Sequence, residues 1–543
     1  MTDNRCTDSA PLDLLIVGAG FGGMYMLHRA RLSGLKAEVL EMADDVGGTW
    51  YWNRYPGARC DIESLEYSYS FDDQLQQEWH WKERFAPQPE ILDYARHVAE
   101  RFDLRRDIRF QVRVDGASFD DDSGLWRIEA HDLAKDSALA TRQARFLVMA
   151  TGCLSTTNRP DIPGIDDFAG PQYHTGQWPH EGVDFTGQRV GVIGTGSSAI
   201  QSIPVIAAQA GQVVVFQRTP NYSVPAHNAP VDPDYEARIK ADYANFRARN
   251  RQMLPAFGSN APAPEGSALG STPEDRRRVF ENWWKRGGLG FTRAFDDLMI
   301  EPDANRLAGQ FVRDKIREIV ADPDLARRLA PEQMIGCKRL CVDTDYYATF
   351  NRPNVRLVDL RETPIQRIEA HGVNIGDETI PVDALVLATG FDAMTGTLLR
   401  IDIRGSQGRR LADAWADGPR NYLGLMVAGF PNLFMITGPG SPSVLTNMIM
   451  SIEQHVEFID QCLAWMRAHG KRRIGADPKA QDAWVAHVNE VAGATVFPHC
   501  NSWYLGANVP GKARVFMPLL GFPAYAEKCR QVAANDYEGF LVG

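Results

Sequence analysis

Two glycine-rich segments contain the residues whose spacing points most directly to chemistry. The first, 18–23, lies between a short apolar run and a helical stretch. Gly18 permits a tight turn, Gly20 lets the backbone approach a pyrophosphate, and Gly23 allows a helix to pack closely on a strand. The N-terminus of that helix then faces the phosphates with its free amides. The segment therefore predicts a dinucleotide site, the alternative being a glycine-rich packing turn.

An acidic residue stands where such a site needs one. The next strand-like run, 37–40, ends at Glu41, about 20 positions after the glycines. A carboxylate at this place accepts hydrogen bonds from ribose hydroxyls. Glu41 therefore favours a nucleotide whose ribose carries no phosphate.

The second glycine-rich segment, 194–199, follows the apolar run 189–193 and has Ala199 in its last glycine position. Alanine is an accepted variant there. The next strand ends in Arg218 and Thr219. An arginine can pair bidentately with a phosphate, and a threonine adds a hydroxyl donor. We interpret this reversal of charge as selection for a ribose 2′-phosphate, hence NADPH over NADH. The alternative is a surface arginine beside a nucleotide.

A third segment, 47–61, contains too many aromatic residues and turn formers for a regular element. A loop this rich in Trp and Tyr is either a plug in the core or a wall against a flat ligand. Asp61 ends it. A single aspartate in such a place is more often a turn cap or a surface charge than a functional group.

The elements around these segments indicate an α/β fold. The apolar run 146–152 ends in Ala-Thr-Gly and has a near copy at 384–390. Two buried strands with the same ending suggest two related nucleotide domains, the alternative being chance similarity. Between them, 230–331 changes in character and reads as a helical insertion. Its helical stretches are 234–253, 272–286 and 308–328, with a loop at 255–270.

Size and charge limit the function classes. A chain of 543 residues predicts about three or four domain-sized units. A net charge of −11 argues against a nucleic-acid partner. Eight scattered cysteines without C-x-x-C argue against a disulfide framework or a zinc knuckle, and no metal site is expected. Residues 1–10 do not read as a secretory segment, and no run approaches the ~18 apolar residues of a membrane span. These features predict a soluble, cytoplasmic protein.

The stretch 168–179 joins the two glycine segments, and Gly170 and Pro179 predict a connection rather than a long helix. Its pattern, F-x-G-x-x-x-H-x-x-x-W-P, resembles the signature of Baeyer–Villiger monooxygenases. The run from Gly48 to Asp61 resembles that family's second signature. The resemblance spans 12–542 and is closest to the phenylacetone and steroid monooxygenases; Thr49 departs toward the cyclohexanone enzymes.

The resemblance implies an enzyme that uses FAD, NADPH and O2 to insert one oxygen beside a ketone carbonyl through a C4a-peroxyflavin. The product is an ester or a lactone, and sulfides are expected to be oxidised as well. The resemblance makes Arg339, in 336–340, the residue that holds the flavin peroxide, with Asp61 orienting it. Lys338 becomes a contact of the NADPH phosphate. Trp503 belongs to a candidate lid, 498–512, for which an ordered surface loop is the alternative.

The resemblance also implies the remaining site residues and the domain order. The FAD contacts are expected at Gly18, Gly20, Phe21, Gly23, Glu41, Thr49, Trp50, Asp61, Tyr67, Val114 and Met448. The NADP contacts are expected at Arg59, Thr195, Gly196, Ser197, Ser198, Gln201, Arg218, Thr219, Lys338, Arg339 and Trp503. The ketone pocket is expected at Ser443, Val444, Leu445 and Met448.

The expected architecture is two Rossmann-like dinucleotide-binding domains with a helical insertion, in a monomer. The FAD-binding domain comprises 1–152 and 388–543, the NADP-binding domain comprises 153–229 and 332–387, and the insertion is 230–331. Within the joint, we expect His174 to tether the backbone and Trp178 to pack between the two domains, rather than either contacting substrate.

Three other functions fit parts of the sequence. An N- or S-oxygenating flavin monooxygenase would share both glycine segments without needing Asp61 and Arg339. A flavin disulfide reductase needs a close cysteine pair, and the nearest two, Cys337 and Cys341, flank the arginine segment instead. A non-catalytic nucleotide sensor would not need the complete oxygenation set.

Overall fold

The protein is described by a computed structural model that covers residues 10–543. Residues 1–9 lie outside the described residues. They include Cys6 and most of 1–10, the segment judged above not to be secretory. Within 10–543, no helix is both long enough and apolar enough to cross a membrane.

The first glycine segment lies in a nine-stranded mixed sheet. Leu12–Val17 pairs in parallel with Ala37–Leu40 on one side and Arg142–Met149 on the other. In spatial order the strands are Asp402–Arg404, Val112–Asp120, Leu125–Asp132, Arg142–Met149, Leu12–Val17, Ala37–Leu40 and Ile108–Arg109, with Leu433–Met435 and Ser137–Ala138 attached at the side. The sheet thus combines strands from both ends of the chain.

The second glycine segment lies in a parallel sheet of five strands. Their spatial order is Val355–Asp359, Gln212–Gln217, Arg189–Ile193, Ala384–Leu387 and Gln172–His174. The joint 168–179 is therefore more than a connection, because Gln172–His174 forms an edge strand of this sheet. Three residues are too few to show an alternating pattern, so the sequence did not reveal the strand.

The repeated Ala-Thr-Gly has one structural cause in both sheets. Gly18 has φ +103°, and a Cβ there would lie 2.7 Å from the Ala150 carbonyl oxygen. Gly194 has φ +117°, and a Cβ there would lie 2.3 Å from the Ala388 carbonyl oxygen. Each neighbouring strand therefore ends against the first glycine of its motif. The two sheets repeat one βαβ construction.

Helices cover these sheets and form the insertion. Around the sheets they are Phe21–Leu32, Thr49–Trp52, Asp73–Glu78, Gln88–Arg101, Ser197–Gln209, Tyr346–Thr349, Gly396–Arg400, Leu411–Ala414, Met448–Ala468, Pro478–Gly493 and Phe522–Ala534. In the insertion they are Pro233–Ala241, Tyr243–Arg251, Pro273–Arg286, Pro302–Ile319 and Pro323–Leu329. The stretches 234–253 and 308–328, each predicted as one helical stretch, are each formed by two helices. One breaks at Asp242, whose backbone is not helical, and the other ends before Asp322, which caps a new helix that starts at Pro323.

The insertion leaves and rejoins the chain at one place. Ser223–Pro225 precedes it and Cys341–Asp343 follows it, and these two strands pair in parallel. Ser223 also donates a hydrogen bond from its hydroxyl to the Asp343 carboxylate. The insertion thus has a narrow root.

Two runs with strand-like sequence are divided between elements. The run 380–387 comprises Glu378–Pro381, in a hairpin with Gly372–Ile375 and Ile365–Glu369, and Ala384–Leu387, in the central sheet. The run 108–112 is interrupted at Gln111, whose φ is +57°. Ile474–Ala476 and Phe540–Val542 form a separate antiparallel pair.

One disulfide bond lies among the described residues, a pairing that the sequence analysis did not predict. It joins Cys337 and Cys500, which are 163 residues apart, with Cα atoms 6.1 Å apart. No local spacing could reveal a bond between segments so distant in sequence. The five cysteines described as free are buried: Cys60, Cys153, Cys341, Cys462 and Cys529.

Candidate active site

The first glycine segment needs its glycines for steric reasons. A Cβ at Gly23 would lie 1.8 Å from the Gly18 carbonyl oxygen, closer than any real contact. A Cβ at Gly48 would lie 2.8 Å from Cα of Gly20. The aromatic loop 47–61 therefore rests directly on the glycine turn, and the two segments form one wall.

Glu41 is held firmly beside this turn. Its Oε2 accepts a hydrogen bond from the Ala19 amide at 2.5 Å, and its Oε1 accepts one from the Ala43 amide at 2.8 Å. The residue is 6% exposed, and burial raises the pKa of its carboxyl against the lowering effect of these amides. A ribose-binding carboxylate would be fixed here before any ligand arrives.

The aromatic residues predicted as FAD contacts lie together. Trp50 donates a hydrogen bond from Nε1 to the Tyr67 hydroxyl at 3.1 Å, and their rings meet edge to face. The Phe21 ring lies 6.3 Å from the Tyr67 ring. Gln88, which the sequence analysis did not single out, donates to the Trp50 carbonyl. The other predicted contacts are Thr49 at a helix start, Val114 in a strand of the first sheet and Met448 at another helix start.

The second glycine segment is more open. A Cβ at Gly196 would meet no described atom within 4 Å. Thr195 donates a hydrogen bond from its hydroxyl to the Thr219 carbonyl at 2.7 Å, which ties the turn to the end of the next strand. Arg218 is exposed, and Ser197 lies 3.2 Å from the Cys341 sulfur.

Lys338 lies close enough to Arg218 for their charges to interact. Burial, with a smaller contribution from Arg218, lowers the pKa of Lys338. The structure thus gathers two cations and the Thr219 hydroxyl at one end of the second site. Such a group can receive a phosphate.

The two sites meet through the aromatic loop. The Tyr55 hydroxyl donates a hydrogen bond to Gln201 Oε1 at 2.8 Å, and Gln201 Nε2 donates to the Arg59 carbonyl at 3.1 Å. Tyr55 also shares a hydrogen bond with Ser198. The Arg59 guanidinium pairs with Glu83. The predicted NADP contacts Arg59, Ser198 and Gln201 are therefore joined to the loop that covers the first site.

Arg339 and Asp61 form the centre of the arrangement. Arg339 donates from Nε to Asp61 Oδ2 at 3.0 Å, and from Nη2 to Oδ1 at 2.9 Å and Oδ2 at 2.7 Å. Burial alone would lower the pKa of Arg339, but the charge of Asp61 outweighs it and the net direction is upward. A quarter of the Arg339 side chain is exposed. The guanidinium is thus permanently charged, fixed in orientation and still accessible.

The third side of the guanidinium contacts the predicted ketone loop. Nη1 donates to the Val444 carbonyl at 2.7 Å. Val444 lies in the turn Ser443–Leu445, whose first residue has φ +44° and is fully buried. Leu445 and Met448 are partly buried in the adjoining core. The loop is therefore held in place at the arginine.

Two neighbours of Arg339 were not predicted as site residues. Tyr504, beside Trp503, lies close enough to the guanidinium for each group to influence the pKa of the other. Asn221 donates from Nδ2 to the Arg339 carbonyl at 3.3 Å. The sequence could have indicated Tyr504, because it follows directly after Trp503 in the candidate lid. No sequence signal distinguishes Asn221 from other asparagines.

His174 lies in the joint, away from Arg339. The Gly176 amide donates to its Nδ1 at 3.0 Å, and its Nε2 lies 3.3 Å from the Thr389 hydroxyl. Thr389 in turn donates to the Asn158 carbonyl. Trp178 is buried against Tyr173 and Phe185 in the core of the second sheet, rather than between the two sheets.

Comparison with known proteins identifies similar chains and structures. Residues 15–254 match the family model of pyridine nucleotide-disulphide oxidoreductases. A Baeyer-Villiger monooxygenase of Pseudooceanicola batsensis is 42% identical and covers 99% of this chain and 98% of its own length. The phenazine N-monooxygenase PhzNO1 of Lysobacter antibioticus is 40% identical and covers 100% and 98%. A solved structure of oxidised steroid monooxygenase bound to NADP is 49% identical, with a TM-score of 0.91 over 98% of this chain and 99% of that one.

Proposed function

Because the chain belongs to the flavin-dependent Baeyer–Villiger monooxygenases, we propose that Arg339, held by Asp61, is its oxygen-transfer residue. The protein is an NADPH-dependent FAD monooxygenase that uses O2 to convert a ketone into an ester or lactone. The observation that carries the assignment of Arg339 is its fixation on two sides, by the Asp61 carboxylate and the Val444 carbonyl.

The residues present fit both cofactors. The first glycine turn, with Glu41 and the Phe21, Trp50 and Tyr67 rings, would hold FAD. The second, with Arg218, Thr219 and Lys338, would hold NADPH. Bound together, they supply hydride transfer and oxygen activation. The first turn has no room for a Cβ, whereas Gly196 has open space around it. This difference supports placing FAD at the first turn and NADPH at the second.

Arg339 contributes a fixed positive charge at the place of reaction. A guanidinium favours an anionic oxygen beside it and stabilises the charge that develops on a ketone oxygen under attack. Losing one such preorganised donor typically lowers kcat by about 10²–10³. Because Asp61 and Val444 already hold the group, little reorganisation is needed during the reaction.

Asp61 is a positioning residue in this proposal. Its carboxylate accepts from two nitrogens of the guanidinium, which fixes the plane of that group. A paired carboxylate also reduces the field that Arg339 would otherwise exert. In the variant Asp61→Asn, the neutral amide would keep part of the orientation of the Arg339 guanidinium but would no longer offset its positive charge.

We propose that 500–512, which forms most of the candidate lid 498–512, excludes water from this centre. Trp503 would lie over the nicotinamide, and Tyr504 already contacts Arg339. Excluding water protects a reactive oxygen donor from decay to hydrogen peroxide. The ketone would enter beside Ser443, Val444, Leu445 and Met448.

We further propose the division into domains that the sequence predicts, with 1–152 and 388–543 on the FAD side, 153–229 and 332–387 on the NADP side, and 230–331 inserted. The hydrogen bonds of His174 to Gly176 and Thr389 support a tethering role at the joint. We expect the enzyme to act as a monomer in the cytoplasm, where NADPH is available.

The test is the pair Arg339→Ala and Arg339→Lys. With either variant, NADPH should still reduce the bound flavin in anaerobic stopped flow. Ester formation should be abolished in Arg339→Ala, and lysine should restore little, because it lacks the planar fork. Undiminished ester yield in the alanine variant would contradict the assignment.

A second candidate is N- or S-oxygenation, which the identity to a phenazine N-monooxygenase favours. Sulfide oxidation is expected even of a ketone-oxidising enzyme, so it does not discriminate. Mass spectrometry of products from an aryl ketone and from an aromatic N-heterocycle does. Turnover of the heterocycle without any ester would favour N-oxygenation.

A further inference from the structure

The disulfide between Cys337 and Cys500 lies where the arginine segment meets the candidate lid. We propose that this cysteine pair is a redox-modification site, at which peroxide forms a bond that fastens the lid over the active site. The inference rests on the lid role proposed above for 500–512. It assigns to the pair a function that oxygenation itself does not require.

The two sulfurs join the two segments that the reaction would need to keep together. Cys337 is fully buried and precedes Arg339 by two residues. Cys500 is half-buried and precedes Trp503 by three residues. On the same loop, the buried Tyr504 is near enough to Arg339 for the charge of Arg339 to act on its pKa. The bond therefore fixes the beginning of the lid to the residue that the lid would cover.

The other contacts of the loop are weaker and reversible. Asn508 donates from Nδ2 to the Phe391 carbonyl at 2.7 Å, and Asn158 donates to the Asn508 carbonyl at 3.1 Å. Lys512 donates to the Asp392 carboxylate at 2.6 Å. Single polar contacts such as these open readily in a surface loop. Reduction of the disulfide would leave 506–512 held by contacts of this kind, whereas Tyr504 would keep its packing against Phe497 and Phe516.

The pair differs from the cysteines described as free. Cys341 is only four residues from Cys337, yet it lies against Ser197, and burial raises the pKa of its thiol to about 12. Burial likewise raises the pKa of Cys153 to about 11. Such thiols react slowly with peroxide, because the thiolate is the nucleophile. Cys500 is the less buried residue of the pair, and Cys337 is the partner within reach.

The oxidant can come from the reaction itself. When activated oxygen is not transferred to a ketone, a flavin monooxygenase releases hydrogen peroxide. One thiolate attacks the peroxide, its O–O bond breaks, and a sulfenic acid and water form. The second thiol displaces the sulfenic hydroxyl, giving the disulfide and a second water. In sum, two thiols and one peroxide give one disulfide and two waters, and a dithiol reductant reverses the step.

This chemistry would make peroxide leakage self-limiting. A reduced, loosely held lid admits water and releases more peroxide. That peroxide forms the bond, the lid opens less often, and leakage falls. The pair would thus adjust the coupling of NADPH oxidation to ketone oxidation.

The test compares reduced and oxidised holoenzyme with FAD bound. Reductant-treated and peroxide-treated samples are checked for the 337–500 linkage by peptide mass spectrometry. Each is then digested briefly with protease, with and without NADP⁺, and assayed for peroxide released per NADPH. We expect cleavage within 500–512 to be roughly tenfold faster after reduction, as for a loop released to local opening, together with more peroxide. Reoxidation should restore both values.

Matched variants separate the bond from other effects of reduction. Cys500→Ser should behave as reduced under all treatments, whereas Cys462→Ala, at a buried thiol elsewhere, should keep the wild-type response. If Cys500→Ser fails to fold, Cys337→Ser and the reversible treatment of the wild type give the same comparison. Equal cleavage and equal leakage in both redox states, with NADP⁺ still protecting the loop, would overturn the redox proposal alone. Absence of protection by NADP⁺ in either state would instead overturn the lid itself.

Discussion

The two glycine turns share one construction, yet their polar residues are held very differently. At the first turn, Glu41 is buried and both its oxygens accept hydrogen bonds from nearby backbone amides, those of Ala19 and Ala43. At the second turn, Arg218 is exposed, and its neighbour Lys338 comes from a distant part of the chain. The charged residue of the first turn is thus held by segments next to that turn, whereas the charges of the second turn depend on how distant segments come together.

This difference matches the roles of the two cofactors. A cofactor that stays bound benefits from preorganised, buried partners, because little ordering is lost when it binds. A cofactor that must be exchanged during turnover is better served by exposed charges, which attract a phosphate yet release it. We propose that the same βαβ construction serves retention at one site and exchange at the other, and four measurements test this contrast.

The largest expected effect comes from adding one methyl group, as Gly→Ala, to each turn in separate variants. Gly23→Ala should abolish FAD binding, because its Cβ would lie 1.8 Å from the Gly18 carbonyl oxygen. Gly196→Ala should fold and remain yellow, because its Cβ meets no described atom within 4 Å, and it should lose only NADPH affinity. Absorbance spectra after purification and NADPH titration check both. A colourless Gly196→Ala would remove the contrast.

The next effect concerns the exposed arginine. Arg218→Ala should raise the KM for NADPH by about 10–100-fold, as expected for a lost charge-assisted bond to a phosphate. The KM for NADH, which has no 2′-phosphate, should change little. Arg367→Ala is the control, because Arg367 is an exposed arginine in a different strand and pairs with Asp167. Equal effects on both nucleotides would mean that Arg218 does not select the phosphate.

A smaller effect is expected at the buried carboxylate. Glu41→Gln should weaken FAD binding by about tenfold, because one of its two fixed acceptors becomes a donor facing a backbone amide. NADPH affinity should be unchanged. Equilibrium dialysis of FAD gives the first value and NADPH titration the second. A larger loss of NADPH than of FAD would reverse the roles we give to the two turns.

The smallest effect is a pH dependence confined to the second site. The lowered pKa of Lys338 means that its ammonium loses its proton at a lower pH than an ordinary lysine. Affinity for NADPH should therefore fall a few-fold as pH rises through that lowered pKa, while FAD occupancy stays constant. Lys338→Arg should flatten the profile, since arginine keeps its charge. An unchanged slope in this variant would assign the dependence to another group.

Local patterns predicted most of the fold because they reflect local physics. The glycine turns, the buried strands beside them and Glu41 all follow from short-range sterics and burial. The strand Gln172–His174 escaped because three residues show no period, and the breaks at Asp242 and Asp322 because both flanks are helical.

In the candidate site, too, the sequence predicted local features but not long-range contacts. Arg339 was identified only through the family resemblance, since its partner Asp61 is far away in sequence. Its contacts to Val444, Tyr504 and Asn221, and the bond between Cys337 and Cys500, depend on long-range packing. No spacing along the chain encodes such pairings, so the sequence indicated the segments but not their contacts.

The paired strands at the root of the insertion have a practical consequence. The segment 226–340 leaves and rejoins the chain through two short strands, Ser223–Pro225 and Cys341–Asp343, that hydrogen-bond to each other. Beyond this root the insertion is bonded to the first half of the chain, as where Tyr243 donates to the Leu65 carbonyl and the Arg84 amide donates to the Ala229 carbonyl. A graft of the matching helices of a relative would therefore have to preserve these bonding partners as well as the root.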